Sequence, residues 1–111
     1  MDNQITGERI ADLLIGKNIA YDQKNMFGGV CFMVNDKMLI GTYKGGIMAR
    51  VDPAEDLTQR KGASPMIHGG KPMAGYLFID PEGYESEADL AFWVEKCLEY
   101  NPKVKAARKK K

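Results

Sequence analysis

The side chains with the most reactive chemistry in this sequence are one histidine, His68, and two cysteines, Cys31 and Cys97. A histidine that works as a base near neutral pH needs a nucleophile and an orienting partner, and the local sequence supplies neither. One histidine and two distant cysteines also lack the ligand spacing of a zinc site. We therefore predict no catalytic residue, no metal and no cofactor. We expect both cysteines to be reduced and buried, with a disulfide between them as the alternative.

A second candidate is the Gly-Gly-Lys stretch at 69–71, which is similar to the end of a phosphate-binding loop. That loop needs a glycine at position 65 and a hydroxyl at position 72, and this sequence has Pro65 and Pro72 instead. The sequence therefore argues against nucleotide binding. The acidic groups at 52–56 and 81–89 open two predicted helices, where the helix dipole favours carboxylates.

The net charge of +1 hides a strong asymmetry along the chain. The last nine residues, which we call the basic tail (103–111), contain six of the 16 basic groups and none of the 15 acidic groups. The remaining residues therefore have a net charge of −5. Because an acidic surface repels phosphates, any contact with nucleic acid would use the tail. Its basic residues are Lys103, Lys105, Arg108, Lys109, Lys110 and Lys111.

The composition is that of one compact domain. The chain has 111 residues, of which 44% are hydrophobic and 28% are charged. We predict a single domain over residues 1–102, followed by the basic tail. No apolar run approaches the roughly 20 residues that span a bilayer, and the N-terminus lacks a signal-peptide pattern. We expect a cytoplasmic protein with no membrane contact.

The sequence pattern predicts a two-layer α+β fold with an antiparallel sheet and the element order α-β-β-β-α-β-β-α. Short links between successive strands predict tight hairpins. The predicted helices are one capped by Thr6 and ending at Gly16, one at 52–62 with Asp52 as N-cap, and one at 86–100. The predicted strands are 30–34, 38–43, 47–51 and 75–80, with a short strand near Met66.

The strands are apolar on both faces, as in the sequence Val-Cys-Phe-Met-Val at 30–34. Three helices cannot cover both sides of a five-stranded sheet, so the second face needs another partner. We predict a symmetric homodimer that buries sheet-face or edge residues, including some of Met33, Met38 and Met48.

Three stretches together resemble the TfoX N-terminal domain family. They are "KNMFGGVCFMVNDKMLIGTYKGGIMARVDP", "GGKPMAGYLFIDPEG" and "LAFWVEKCLEY", which span residues 24–100 with gaps. The resemblance implies a secretion-chaperone-like fold. The best-known family members regulate competence for DNA uptake with the transcription machinery, and they have a second, C-terminal domain. We expect a stand-alone member that lacks it.

The resemblance also implies roles for particular residues. Gly28 and Gly29 would let the first strand bend, while Met26 and Phe27 would anchor its start in the core. Arg50 would need an oxygen partner, either within the fold or from an acidic partner protein. Lys71 would be solvated or would bind an anion. The other candidate structural or interaction residues in the matching stretches are Pro72, Gly75 and Trp93.

These features predict a non-enzymatic regulatory or protein-interaction domain, linked to transcription or competence regulation. It would form a homodimer and bind a further protein partner that the sequence does not identify. The alternative is an accessory protein that contacts nucleic acid through the basic tail. An enzyme with an unrecognised site is a third interpretation.

Overall fold

The computed structural model describes residues 3–26 and 29–103, which form two helices and one six-stranded antiparallel sheet. The α+β class and the antiparallel sheet are therefore confirmed. Short 3-10 turns lie at Pro81–Gly83 and Asn101–Lys103. The main elements are α1 (Asn3–Gly16), β1 (Asp22–Met26), β2 (Gly29–Val34), β3 (Lys37–Tyr43), β4 (Gly46–Arg50), β5 (Ala63–His68), β6 (Lys71–Ile79) and α2 (Glu87–Tyr100).

The strands are arranged in the order β1-β2-β3-β4-β6-β5. The β2–β3 turn at Asn35 and Asp36 has φ angles of 57° and 64°, and the β3–β4 turn at Lys44 and Gly45 has 47° and 83°. Two consecutive positive φ angles are typical of tight hairpin turns, so the predicted hairpins are confirmed.

The pairing of β6 with β4 places β5 at the edge of the sheet. Both β4 and β5 are antiparallel to β6, so they run parallel to each other on either side of it. Parallel strands need a crossover connection of roughly a dozen residues or more, which is usually a helix. Here the connection is residues 51–62, which we call the crossover segment.

The predicted helix at 52–62 is wrong, because the crossover segment consists of turns and bends. Only two of its side chains, Val51 and Leu57, lie in the buried core, so the segment has no apolar stripe that a helix could bury. Ion pairs hold it against α2: Glu55 lies 2.8 Å from Lys96, and Arg60 lies 3.5 Å from Asp89.

Two further expectations need correction. The polar stretch at 22–26 is an edge strand, β1, which is absent from the predicted set of strands. The side chains of residues 22–25 are exposed, so no apolar alternation marks this strand. Thr6 does not cap the first helix, because α1 begins at Asn3 and Thr6 is buried within it at 2% exposure. The predicted end at Gly16 is confirmed.

Helix α2 follows its prediction. The Ser86 hydroxyl accepts a hydrogen bond of 3.0 Å from the Asp89 backbone N–H, so Ser86 is the N-cap. At the other end Asn101 is buried and its side chain donates to the Val34 carbonyl at 3.1 Å. The Lys37 ammonium donates to the Asn101 carbonyl at 3.0 Å. These bonds fix the point where the chain leaves α2.

The sheet has a core on each face. On the helix side, Phe32, Ile40, Ile47 and Ile79 pack with α1 and α2 around Trp93. On the other side, which we call the second sheet face, Cys31 and four methionines form a separate buried cluster. Those methionines are Met33, Met38, Met48 and Met66, and each is at most 8% exposed in the single chain.

Gly29 opens β2 at a point where a side chain does not fit. A Cβ atom there would lie 2.3 Å from the Thr42 hydroxyl oxygen and 2.6 Å from the Thr42 carbonyl oxygen. The same hydroxyl accepts a hydrogen bond of 2.9 Å from the Val30 backbone N–H. Gly29 therefore lets β2 approach β3 closely enough for this bond to form. Gly28 and Phe27 lie outside the described residues.

We expect Gly29→Val to destabilise the domain by about 1–3 kcal/mol or more, because the new side chain would overlap backbone atoms of Thr42. The free energy of unfolding from urea denaturation measures this effect. Gly16→Ala is the matched control, since a Cβ there meets nothing within 4 Å. Equal stability of the Gly29→Val protein and the parent would contradict the packing account of this glycine.

Candidate functional site

A surface groove of about 300 Å³ lies between residues 51–58 and 72–77, with Pro65 beside it. Its apolar part includes the buried side chains of Val51, Leu57 and Leu77. Three carboxylate residues also line it: Asp52, Glu55 and Asp56. The groove therefore combines an apolar floor with an acidic rim.

One backbone hydrogen bond joins the two sides of the groove. The Val51 N–H donates to the Gly75 carbonyl at 2.9 Å and extends the β4–β6 pairing past Arg50 and Tyr76. Gly75 has a φ of 86°, and a Cβ there would lie 3.4 Å from the Val51 carbonyl oxygen. A glycine is favoured because few other residues adopt this φ. Gly75 thus bends β6 where it meets the crossover segment.

The acidic rim is held by local turns. The Asp52 carboxylate accepts a hydrogen bond of 2.9 Å from the Ala54 N–H. The Asp56 carboxylate accepts from the Thr58 hydroxyl at 2.5 Å and from the Thr58 N–H at 3.2 Å. The bonds from Thr58 lower the pKa of Asp56, so this carboxylate stays ionised at neutral pH.

A smaller cavity of about 80 Å³ adjoins the groove and shares Asp52 and Glu55 with it. Its other charged residues are Lys96, Glu99 and Lys103. The Lys96 ammonium lies 2.8 Å from Glu55 and 3.5 Å from Glu99. The hydrogen bond to Glu55 raises the pKa of Lys96. The two depressions together present four carboxylates and two lysines, an arrangement that attracts a cation.

The predicted site residues are divided between this groove and the rest of the fold. Pro72 and Gly75 of β6 line the groove, whereas Lys71 is exposed at the start of the same strand and does not line it. The Arg50 guanidinium lies 5.1 Å from the centre of the Tyr76 ring, a cation–π contact within the fold. Trp93 is fully buried and its indole N–H donates to the Gly83 carbonyl at 3.1 Å, which is a structural role.

The remaining predicted residues lie at element ends or outside the described part of the chain. Met26 ends β1 opposite Gly29. Lys103 is exposed and lines the smaller cavity. The other basic residues of the tail lie outside the described residues, namely Lys105, Arg108, Lys109, Lys110 and Lys111.

Both cysteines are free and 1% exposed, as predicted. Burial raises the pKa of the Cys31 thiol to about 11, partly opposed by the charge of Lys24. Burial also raises the pKa of the Cys97 thiol to about 12. A thiol that stays protonated at neutral pH is a poor nucleophile and a poor metal ligand. Within residues 3–26 and 29–103, no group of three or more His, Cys, Asp or Glu side chains is arranged for a metal ion.

The fold and the groove define a class of small α+β domains in which two helices cover one face of a six-stranded sheet. The family model of the TfoX N-terminal domain matches residues 16–100, so this chain belongs to the TfoX N-terminal domain family. The match includes both sides of the groove. The comparisons with curated proteins and with solved structures gave no match. Neither described helix is long and apolar enough to cross a membrane.

The carboxylates of the acidic rim stand out in the sequence, but the sequence pattern indicates a different role for them. The sequence pattern places Asp52, Glu55 and Asp56 at a helix N-terminus, where the helix dipole alone accounts for their charge. Two stretches of the family resemblance contribute residues to the groove: RVDP at 50–53 and GKPMAGY at 70–76. The β4–β6 pairing brings them together. That pairing joins distant parts of the sequence, so no local pattern reveals it.

We expect Asp52→Ala to lower the free energy of unfolding by about 1 kcal/mol, because the Ala54 N–H loses its acceptor. Asp52→Asn is the matched control, because its amide oxygen can still accept this bond, and it should cost only a few tenths of a kcal/mol. Urea denaturation of both variants measures the difference. Equal losses in the two variants would show that the charge, and not the turn, stabilises the loop.

We expect a thiol reagent at pH 8 to modify neither cysteine in the folded protein and both in denaturant. Because folding raises both thiol pKa values, their contribution to stability is present below the unfolded value of about 8.5 and is lost as the pH rises above it. A Cys97→Val variant should therefore lose less stability than the parent between pH 8 and pH 10. Rapid labelling of the native protein would refute the burial account.

Proposed function

We propose that this chain is a non-enzymatic regulatory domain that acts through protein contacts and forms a homodimer. Membership of the TfoX N-terminal domain family supports a role linked to transcription or competence regulation. The observation that carries the proposal is the second sheet face, which no described helix covers.

The second sheet face has an apolar border around its methionine core. Tyr43, Met73, Tyr76 and Phe78 pack against that core and are each half-buried. The methionines themselves are almost fully buried in one chain, so the predicted dimer contact through Met33, Met38 and Met48 has to be revised. Aromatic residues with remaining accessible surface are favoured contacts in protein interfaces.

The edges of the sheet are less suited to association than its face. An exposed edge strand pairs with another chain unless charges or prolines protect it. Asp22 and Lys24 provide charges on β1, and Pro65 lacks a backbone N–H on β5. Contact between two second sheet faces is therefore the geometry we favour, with the half-buried aromatic residues at its centre.

The chemistry of the described residues supports a non-enzymatic role. The two thiols have raised pKa values and are buried, so they do not supply an activated nucleophile. Asp52 and Asp56 use carboxylate oxygens to hold local turns. The alternative function, nucleic-acid contact through the basic tail, is supported by the charge of residues 103–111 alone.

We expect light scattering to give the mass of a dimer at high micromolar protein, with dissociation on dilution. Phe78→Lys should shift the equilibrium strongly towards monomer, because it places a charge in the proposed apolar contact. Phe78→Leu is the matched control and should stay largely dimeric.

Thermal melting of both Phe78 variants separates assembly from folding. The proposal requires a folded, monomeric Phe78→Lys protein alongside a folded, dimeric Phe78→Leu protein. If Phe78→Lys does not fold, the concentration series on the parent decides the question. A monomer mass for the parent at high micromolar concentration would overturn the proposed dimer.

A further inference from the structure

We propose that the groove between residues 51–58 and 72–77 binds the chain's own residues 104–111, the part of the basic tail that follows Lys103. The proposal goes beyond the dimer and does not depend on it. It makes the groove an internal docking site for a basic segment with small apolar residues.

The position of Lys103 is the first argument. The buried side chain of Asn101 donates to the Val34 carbonyl, and the Asn101 carbonyl accepts from Lys37, so the chain is fixed just before the tail. Lys103 then lines the smaller cavity with Asp52 and Glu55. These two acidic residues also line the groove, so the tail starts at the rim of its proposed site.

The length of the segment is the second argument. An extended chain spans at most about 3.3–3.6 Å for each residue, so residues 104–111 reach roughly 26–29 Å. The smaller cavity and the groove share residues, so the path from Lys103 is short. A volume of about 300 Å³ is at the lower end for ligand clefts and suits a few side chains of a peptide.

Charge complementarity is the third argument. The segment contains Lys105, Arg108, Lys109, Lys110 and Lys111 and no acidic residue. The two depressions contain four carboxylates, and only Glu55 and Glu99 are paired with Lys96. The Asp56 carboxylate is ionised, since Thr58 lowers its pKa. Val104, Ala106 and Ala107 supply apolar groups for the floor formed by Val51, Leu57 and Leu77.

A spin label on the full-length chain tests the docking directly. Lys111→Cys provides the label position, because Cys31 and Cys97 are buried. At low salt we expect paramagnetic broadening of the backbone amides at 52–58 and 73–77. High salt should reduce this broadening, because it screens exposed charges. Broadening that is absent, lies elsewhere, or does not change with salt would overturn the proposal.

Two double variants test the acidic rim. Asp52→Asn with Asp56→Asn removes two charges and keeps amide oxygens that can accept the turn hydrogen bonds. We expect it to weaken docking by roughly 2- to 30-fold, the range for two exposed ion pairs. The control, Asp12→Asn with Asp22→Asn, removes the same charge from exposed residues that do not line the groove. An equal loss in both double variants would indicate a non-specific charge effect and would overturn the assigned site.

Mixing separates docking within one chain from docking between copies. One preparation of the chain has the spin label but no isotope label. It is mixed with a second preparation that is isotope-labelled and has no spin label. Docking within one chain predicts no broadening of the groove amides in this mixture and a dilution-independent signal in the singly prepared sample. Broadening in the mixture would assign the tail to a second copy and would overturn the internal site.

Discussion

The hydrogen bond from the Val51 N–H to the Gly75 carbonyl is the contact on which the rest of the site depends. It continues the pairing of β4 with β6, and this pairing leaves β5 at the outer edge of the sheet. With β6 between them, β4 and β5 run parallel, and the chain has to cross from one to the other. The crossover segment, the bend at Gly75 and the groove between them are consequences of this one arrangement.

The parts of the fold that sequence reasoning predicted are those with a local physical signal. The strands that become β2, β3 and β4 alternate between two apolar faces, and their turns need only neighbouring residues. Helix α2 has an apolar stripe of Leu90, Trp93, Val94 and Cys97 and a serine cap. In each case a short stretch of sequence determines the element without help from the rest of the chain.

The predictions that the structure contradicts concern segments without a decisive local signal. Asp52 with Pro53 and Glu55 has the pattern of a capped helix, and the Asp52 carboxylate does accept a hydrogen bond from a nearby N–H. That bond also forms in an isolated turn, so it starts a helix only if the following residues have an apolar face to bury. Strand β1 is the reverse case: its polar residues form a strand because β2 supplies hydrogen-bond partners. Both outcomes are decided by tertiary contacts.

The sequence identified residues that line the groove but did not predict that they lie close together. Pro72 and Gly75 were identified through the family resemblance, and the rim carboxylates through their clustering. Their proximity follows from the β4–β6 register, which pairs Arg50 with Tyr76 across a long stretch of intervening sequence. A pattern that spans so much chain has no local period, so only the assembled sheet reveals it.

The two surfaces that we propose for binding have opposite physical characters, and this difference would separate their roles. The second sheet face is apolar and bordered by Tyr43, Tyr76 and Phe78, so contact there depends on buried area and changes little with salt. The groove has ionised carboxylates at its rim, so its occupancy by a basic segment depends on ionic strength. Nucleic acid and the groove would compete for the same lysines of the tail. A tail bound in the groove is therefore unavailable to phosphates, and its release would couple partner binding to a change in the surface charge of the domain.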